Sequence, residues 1–244
     1  MRINALIFIG ILVAGHRPPI AQAIQLTSND QGISFADSLR SRGVGTSPSE
    51  LGGALRNADP QVRALAAYKL AEDHDSEAAQ KIEAALVIEK NLQTRIDFSS
   101  ALWSLGDEVG RKQLVAICND LSLPPKAITD AASHLHMMGQ DGRCENGILT
   151  LIDRATESYQ RLDLLPFLPT IYSGASQKTI DRIVAIAQGM LNDKSPAVRI
   201  SASHVLAQVG SKSSATVIRD ASMRETDPVV RSSLQQDLAV LRNN

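Results

Sequence analysis

The chain has 244 residues, of which 43% are hydrophobic, 21% charged and only 3% aromatic. That is enough apolar material for one sizeable core or a continuous repeat array. A composition rich in Ala and Leu, poor in the aromatic residues that sheets favour, points to packed helices. The formal net charge of −1 offers no basic surface for gripping nucleic-acid phosphates, so that partner class is excluded.

The first 23 residues read as a signal peptide. Arg2 supplies a positive start, Ala5 to Gly15 an uncharged apolar stretch, and Ala21-Gln22-Ala23 a small-x-small cleavage site. Such a stretch is too short to cross a bilayer, which takes roughly 20 residues. No Cys lies near residue 24 to take a lipid anchor. The mature chain is therefore expected to begin at Ile24, exported to a periplasm or secreted, with no later membrane span. Losing Arg2 and Arg17 takes the formal net charge from −1 to −3.

Residues 24–46 are rich in Ser, Gly, Thr and Asn and read as a partly ordered leader with a short helix around Phe35–Arg40. Ser49–Asn57 reads as the second helix of a capping unit. From 47 to 244 the chain repeats itself. Asp59-Pro60-Gln61-Val62-Arg63, Ser195-Pro196-Ala197-Val198-Arg199 and Asp227-Pro228-Val229-Val230-Arg231 are near copies, Asn91-Leu92-Gln93-Thr94-Arg95 is a good one, and Leu123-Pro124-Pro125-Lys126 a degenerate one. Leu70, Leu102, Leu206 and Leu238 each stand seven residues after the Arg, and Gly106, Gly139 and Gly210 close three of the copies. An Asp, Ser or Asn N-cap, Pro in the first turn and a closing Gly are helix boundaries. The Arg frame falls at 63, 95, 128, 163, 199 and 231, with Ile128 and Asp163 standing in for Arg. A period in the low thirties is one helix pair per repeat. Second helices are expected over Ser76–Lys90, Glu108–Leu121, Arg143–Glu157, Lys178–Asn192 and Lys212–Met223. The fold predicted is all-α, a solenoid of about six helix pairs.

The D/S-P-x-V-R opening, the Leu and the closing Gly resemble the HEAT family, and most closely the HEAT-like repeats of phycobilin lyases, over roughly residues 48 to 244. The resemblance implies an α-solenoid whose repeated arginines, Arg63, Arg95, Arg199 and Arg231, form a structural ladder between repeats. The family's functions are too diverse for the fold to name one.

The fourth repeat departs from the pattern. Pro166 and Pro169 lie inside its first helix and should break it between Leu164 and Tyr172. His134 and His136 stand two apart on one helix and point to opposite sides, unlike the spacing of four that a helical metal pair needs. No His-Glu dipeptide occurs, which argues against the di-iron HEAT hydroxylases. No metal or cofactor is expected. Cys118 and Cys144 fall in adjacent second helices, which are expected to run parallel; an axial offset of about 6 residues then separates the Cα atoms beyond ~7 Å and leaves two separate thiols. Trp103 stands beside the core position Leu102 and reads as packing. Asp73-His74-Asp75 reads as a solvated turn. No G-x-S-x-G, P-loop or G-x-G-x-x-G is present.

Two functions are consistent with these observations. The first is a non-catalytic binding or scaffold module that holds a protein or peptide on a concave face lined by second helices. Lys81, Glu83, Arg111, Lys112, Asp181, Arg182, Gln188 and Arg219 are its candidate lining. Asp181, Arg182, Gln188 and Arg219 form the predicted centre, because Ile180, Ile183, Val184, Ala187 and Leu191 suffice to pack their helix. The second is a lyase or other enzyme acting on a bound small molecule, which the resemblance implies and a titratable cluster near the Pro-broken repeat would favour.

Overall fold

The computed structural model describes residues 34–139, 143–172, 175–210 and 212–243, and every regular element among them is a helix. The expected signal peptide and the leader before residue 34 lie outside the described residues. In chain order the helices are α1 (Phe35–Arg40), α2 (Pro48–Ala54), α3 (Pro60–Glu72), α4 (Ala78–Ile88), α5 (Leu92–Ser104), α6 (Glu108–Asn119), α7 (Pro125–Met137), α8 (Glu145–Arg154), α9 (Ser158–Leu164), α10 (Leu168–Tyr172), α11 (Gln177–Met190), α12 (Pro196–Val209), α13 (Lys212–Arg224) and α14 (Pro228–Asn243). First helices (α3, α5, α7, the α9–α10 pair, α12, α14) alternate with second helices (α4, α6, α8, α11, α13), giving a helical-repeat solenoid.

The boundaries follow the capping residues. Asp59 accepts from the Gln61 N–H at 2.9 Å and Asn91 from the Thr94 N–H at 3.0 Å, each satisfying a free donor of the first turn. Gly106, Gly139 and Gly210 all take left-handed φ values, 84°, 68° and 68°, and close their helices as the sequence predicts. The fourth first helix breaks where the prolines require: α9 stops at Leu164, a 3₁₀ turn spans Leu165–Phe167, and α10 resumes at Leu168.

Two apolar clusters fill the space between the layers and meet within α5. Phe98, Ala101 and Leu102 belong to the cluster that begins at Phe35. Ile96 belongs to the one that runs on to Leu238. Alanines at 66, 67, 71, 101, 131, 132 and 202, all buried, let neighbouring first helices approach closely.

The arginine ladder follows one rule. The Arg stands four residues after the helix N-cap. It donates to the carbonyl two residues before that N-cap, and to an acid two residues before the next. Arg63 Nη1 donates to the Asn57 carbonyl at 2.7 Å, while Nε and Nη2 bind both oxygens of Glu89 at 2.6 and 2.9 Å. Arg199 repeats this with the Asp193 carbonyl at 2.9 Å and Glu225 at 2.7 and 3.1 Å. Arg231 donates to the Glu225 carbonyl. The rule corrects the sequence frame in the fourth repeat. The ladder residue there is Arg161, not the residue at 163; it donates to the Ala155 carbonyl at 3.1 Å and to Asp193 at 2.5 Å. The Pro-broken helix after it carries extra residues, so the spacing is 33 from Ile128 to Arg161 and 38 from Arg161 to Arg199, whereas the expected frame divides that interval almost equally at 163. Arg95 also departs from the expectation: its side chain makes no hydrogen bond or ion pair among the described residues, because its acid position is Ser122.

The two cysteines are bonded. Cys118 and Cys144 form a disulfide with Cα atoms 5.5 Å apart, which overturns the expectation of separate thiols. The second helices are not in register there. The first turn of α8 meets the last turn of α6, and Gly147 seats against the Cys118 carbonyl where any Cβ would overlap it. Asn119 fixes the meeting: its amide donates to the Arg143 carbonyl at 2.7 Å, and its oxygen accepts from the Gly147 N–H at 3.2 Å. The residue at the N-cap of α8, Cys144, provides no side-chain cap; Asn119 of another helix provides it instead.

Candidate functional site

Polar side chains on the first helices are engaged with one another across repeats. The Tyr68 hydroxyl donates to Asp97 Oδ1 at 3.1 Å, and Ser100 Oγ lies 3.0 Å from His134 Nδ1. Ser203 and His204 both bind Asp237, with His204 Nδ1 2.7 Å from Oδ1. Burial, aided by the charge of Asp130 and opposed by the Tyr68 and Gln93 hydrogen bonds, raises the Asp97 carboxyl to about 6. Burial lowers His134 to about 4 and pushes the Tyr68 phenol up. The Asp237 hydrogen bond raises His204. These pairs tie neighbouring repeats together inside the array. The sequence reading missed both acids, although Asp237 stands between Leu234 and Leu238, and an acid inside an apolar stripe signals a buried partner.

The second helices carry the predicted partner residues. Arg182 pairs with Asp153 of α8 and reaches the Leu149 carbonyl at 3.4 Å. Asp181 accepts from Gln177 at 2.9 Å. Gln188 is half-buried, and Arg219 on α13 is exposed with no side-chain partner among the described residues. Arg182 and Asp181 are engaged within the chain, and among the described residues no hydrogen bond or ion pair joins them to Arg219. Elsewhere on this layer Lys81 pairs with Asp75 and Glu77, and Arg111 pairs with Glu108 while lying 5.9 Å from the centre of the Trp103 ring. The neighbouring Asp107 raises the Glu83 carboxyl.

Large apolar side chains remain in water on the same layer. Val87 is 85% exposed and Ile88 61% at the end of α4, and Val109 is exposed at the start of α6. Met223 is 71% exposed, one helical turn from Arg219. Nothing in the sequence reading singled these out, because each sits at a helix end where apolar periodicity is weakest.

Among the described residues no three His, Cys, Asp or Glu side chains converge as a metal site, and no helix is long and apolar enough to cross a membrane.

No family model matches the sequence, and no curated protein matches it. Solved structures match it at TM-scores below 0.5. An engineered protein is 19% identical with a TM-score of 0.46, over 80% of this chain and 96% of its own. A designed armadillo repeat protein is 14% identical with a TM-score of 0.47, over 80% and 100%. Human deoxyhypusine hydroxylase in complex with glycerol is 16% identical with a TM-score of 0.40, over 92% and 85%. The repeat assignment for this chain rests on its own ladder and caps.

Proposed function

We propose that the mature chain is an exported, non-catalytic scaffold that binds a protein partner through its second-helix layer, the side that HEAT-like arrays turn inward as a concave face. The observation that carries this reading is the apolar surface left in water there. Val87 and Ile88 sit side by side at the end of α4, with Val109 on the next second helix, and Met223 lies a turn from Arg219, which has no side-chain partner among the described residues. Single exposed apolar residues are ordinary, but the adjacent pair Val87 and Ile88, followed directly by Glu89 and Lys90, has the composition of a protein interface. The mixed charge of the layer favours a protein over a polyanion. The buried disulfide supports an oxidising compartment and so export. Arg219 with Met223 is the anchor at one end, and Asp181, Arg182 and Gln188 form the rim between it and the apolar end.

The test is capture from the native exported fraction on immobilised, oxidised protein. Val87→Ser with Ile88→Ser, and separately Arg219→Glu, should each release the captured protein while the melting temperature stays that of the parent. Capture unaffected by both would place the partner on another face.

A further inference from the structure

We infer that the Cys118–Cys144 disulfide replaces the arginine ladder at the centre of the array, so that the joint between α6 and α8 is tight only when those cysteines are oxidised. The ladder rule locates the gap. Rungs stand at Arg63–Glu89 before it, and at Arg161–Asp193 and Arg199–Glu225 after it. The two positions between them are empty of charge pairs. Ser122 occupies the acid position for Arg95, and Ile128 with Ala155 replace both members of the next rung. The disulfide lies within this interval, closing a span of 26 residues. α7, inside the gap, is also a helix whose N-cap, Pro124, makes no side-chain cap. Asn119 and the close seat of Gly147 also hold the joint, and Leu114 and Ile117 of α6 share one buried apolar cluster with Ile148 and Leu149 of α8.

The chemistry is thiol–disulfide exchange. Forming the bond joins two thiols and passes two electrons and two protons to a disulfide oxidant, which leaves as a dithiol. A dithiol reductant reverses this through a mixed disulfide, returning both cysteines as thiols. Cys118 is fully buried and Cys144 nearly so, so a reductant reaches them when the joint opens. Reduction then removes the constraint on the joint while the ladder rungs on either side remain made.

Hydrogen exchange on the full-length chain, oxidised and then reduced after folding with a small dithiol, tests this. Amides of residues 118–128 and 143–150 should exchange roughly 10–100-fold faster after reduction, with α3, α4, α12 and α13 changed by less than about twofold. Unchanged exchange at the joint, or equal acceleration along the whole array, would overturn the inference. Ser122→Glu gives Arg95 the acid it lacks. In the reduced chain, and in a Cys118→Ser/Cys144→Ser chain, it should return protection to residues 118–128. No return in the reduced chain means that rung and disulfide are not equivalent fasteners.

Discussion

Arg63 and Arg199, in different repeats, hold matching sets of acceptors: a carbonyl six residues back and both oxygens of a glutamate 26 residues on. Each guanidinium closes its own repeat and grips the next with one side chain. Their exposures are also matched, 14% and 16%, with partners at 7% and 8%. Such a side chain is saturated by the fold. Arg63→Ala or Arg199→Ala should therefore lower stability by roughly 1.5–3 kcal/mol, the worth of charged hydrogen bonds, measured by urea unfolding. Loss of partner capture with unchanged stability would refute the structural role.

Arg95→Ala should cost little, within about 0.5 kcal/mol, because no rung is broken. The comparison with Arg63→Ala in one set of melts separates a ladder position from a ladder interaction. Equal losses would show that Arg95 has a partner after all.

Acidification should act on two groups in opposite directions. Asp97, raised to about 6, holds a proton in the fold that the unfolded chain releases near its ordinary value of 3.8, so its contribution to stability grows as pH falls from about 6 toward 4. His134, lowered to about 4, stays neutral in the fold while the unfolded chain takes up a proton below about 6.5, so its contribution shrinks over that range. The two oppose each other in the parent chain. Asp97→Asn should expose the His134 loss, with stability falling from pH 6.5 to 4.5 relative to the parent. His134→Gln should do the reverse. Parallel pH profiles for all three chains would contradict these assignments. His204, raised by Asp237, should add stability that is full below about pH 6.5 and lost as pH rises through its folded value, which His204→Gln should abolish.

Three glycines make a further comparison. A Cβ on Gly147 would overlap the Cys118 carbonyl, and one on Gly110 would overlap the Ser99 carbonyl and crowd the Trp103 amide. Alanine at either should cost roughly 1–3 kcal/mol through overpacking. Gly189, helical with no neighbour near such a Cβ, should instead gain about 0.5–1 kcal/mol as alanine. Thermal melts of the three variants decide it.

The repeat architecture was legible in the sequence because its signals are local. A cap, a proline in the first turn, an apolar stripe and a closing glycine act within one helix, and they placed α1 and the breaks around Pro166 and Pro169 within a residue or two. The ladder was legible where the Arg recurs with its opening motif and slipped by two at Arg161, since inserted residues do not announce which side of a broken helix they join, and here all of them follow the rung. What only the tertiary structure decided is how neighbouring helices meet. The pairing of Cys118 with Cys144 depends on where α8 starts along α6. Asn119 and Gly147 set that offset through contacts 24 and 29 residues away in the chain, and a pattern read along one helix carries no term for it. The lack of an acid opposite Arg95 and the pairing of Arg182 with Asp153 have the same origin. A side chain's partners are fixed by what the adjoining repeat places opposite it, and the sequence displays that only after the fold has set the register.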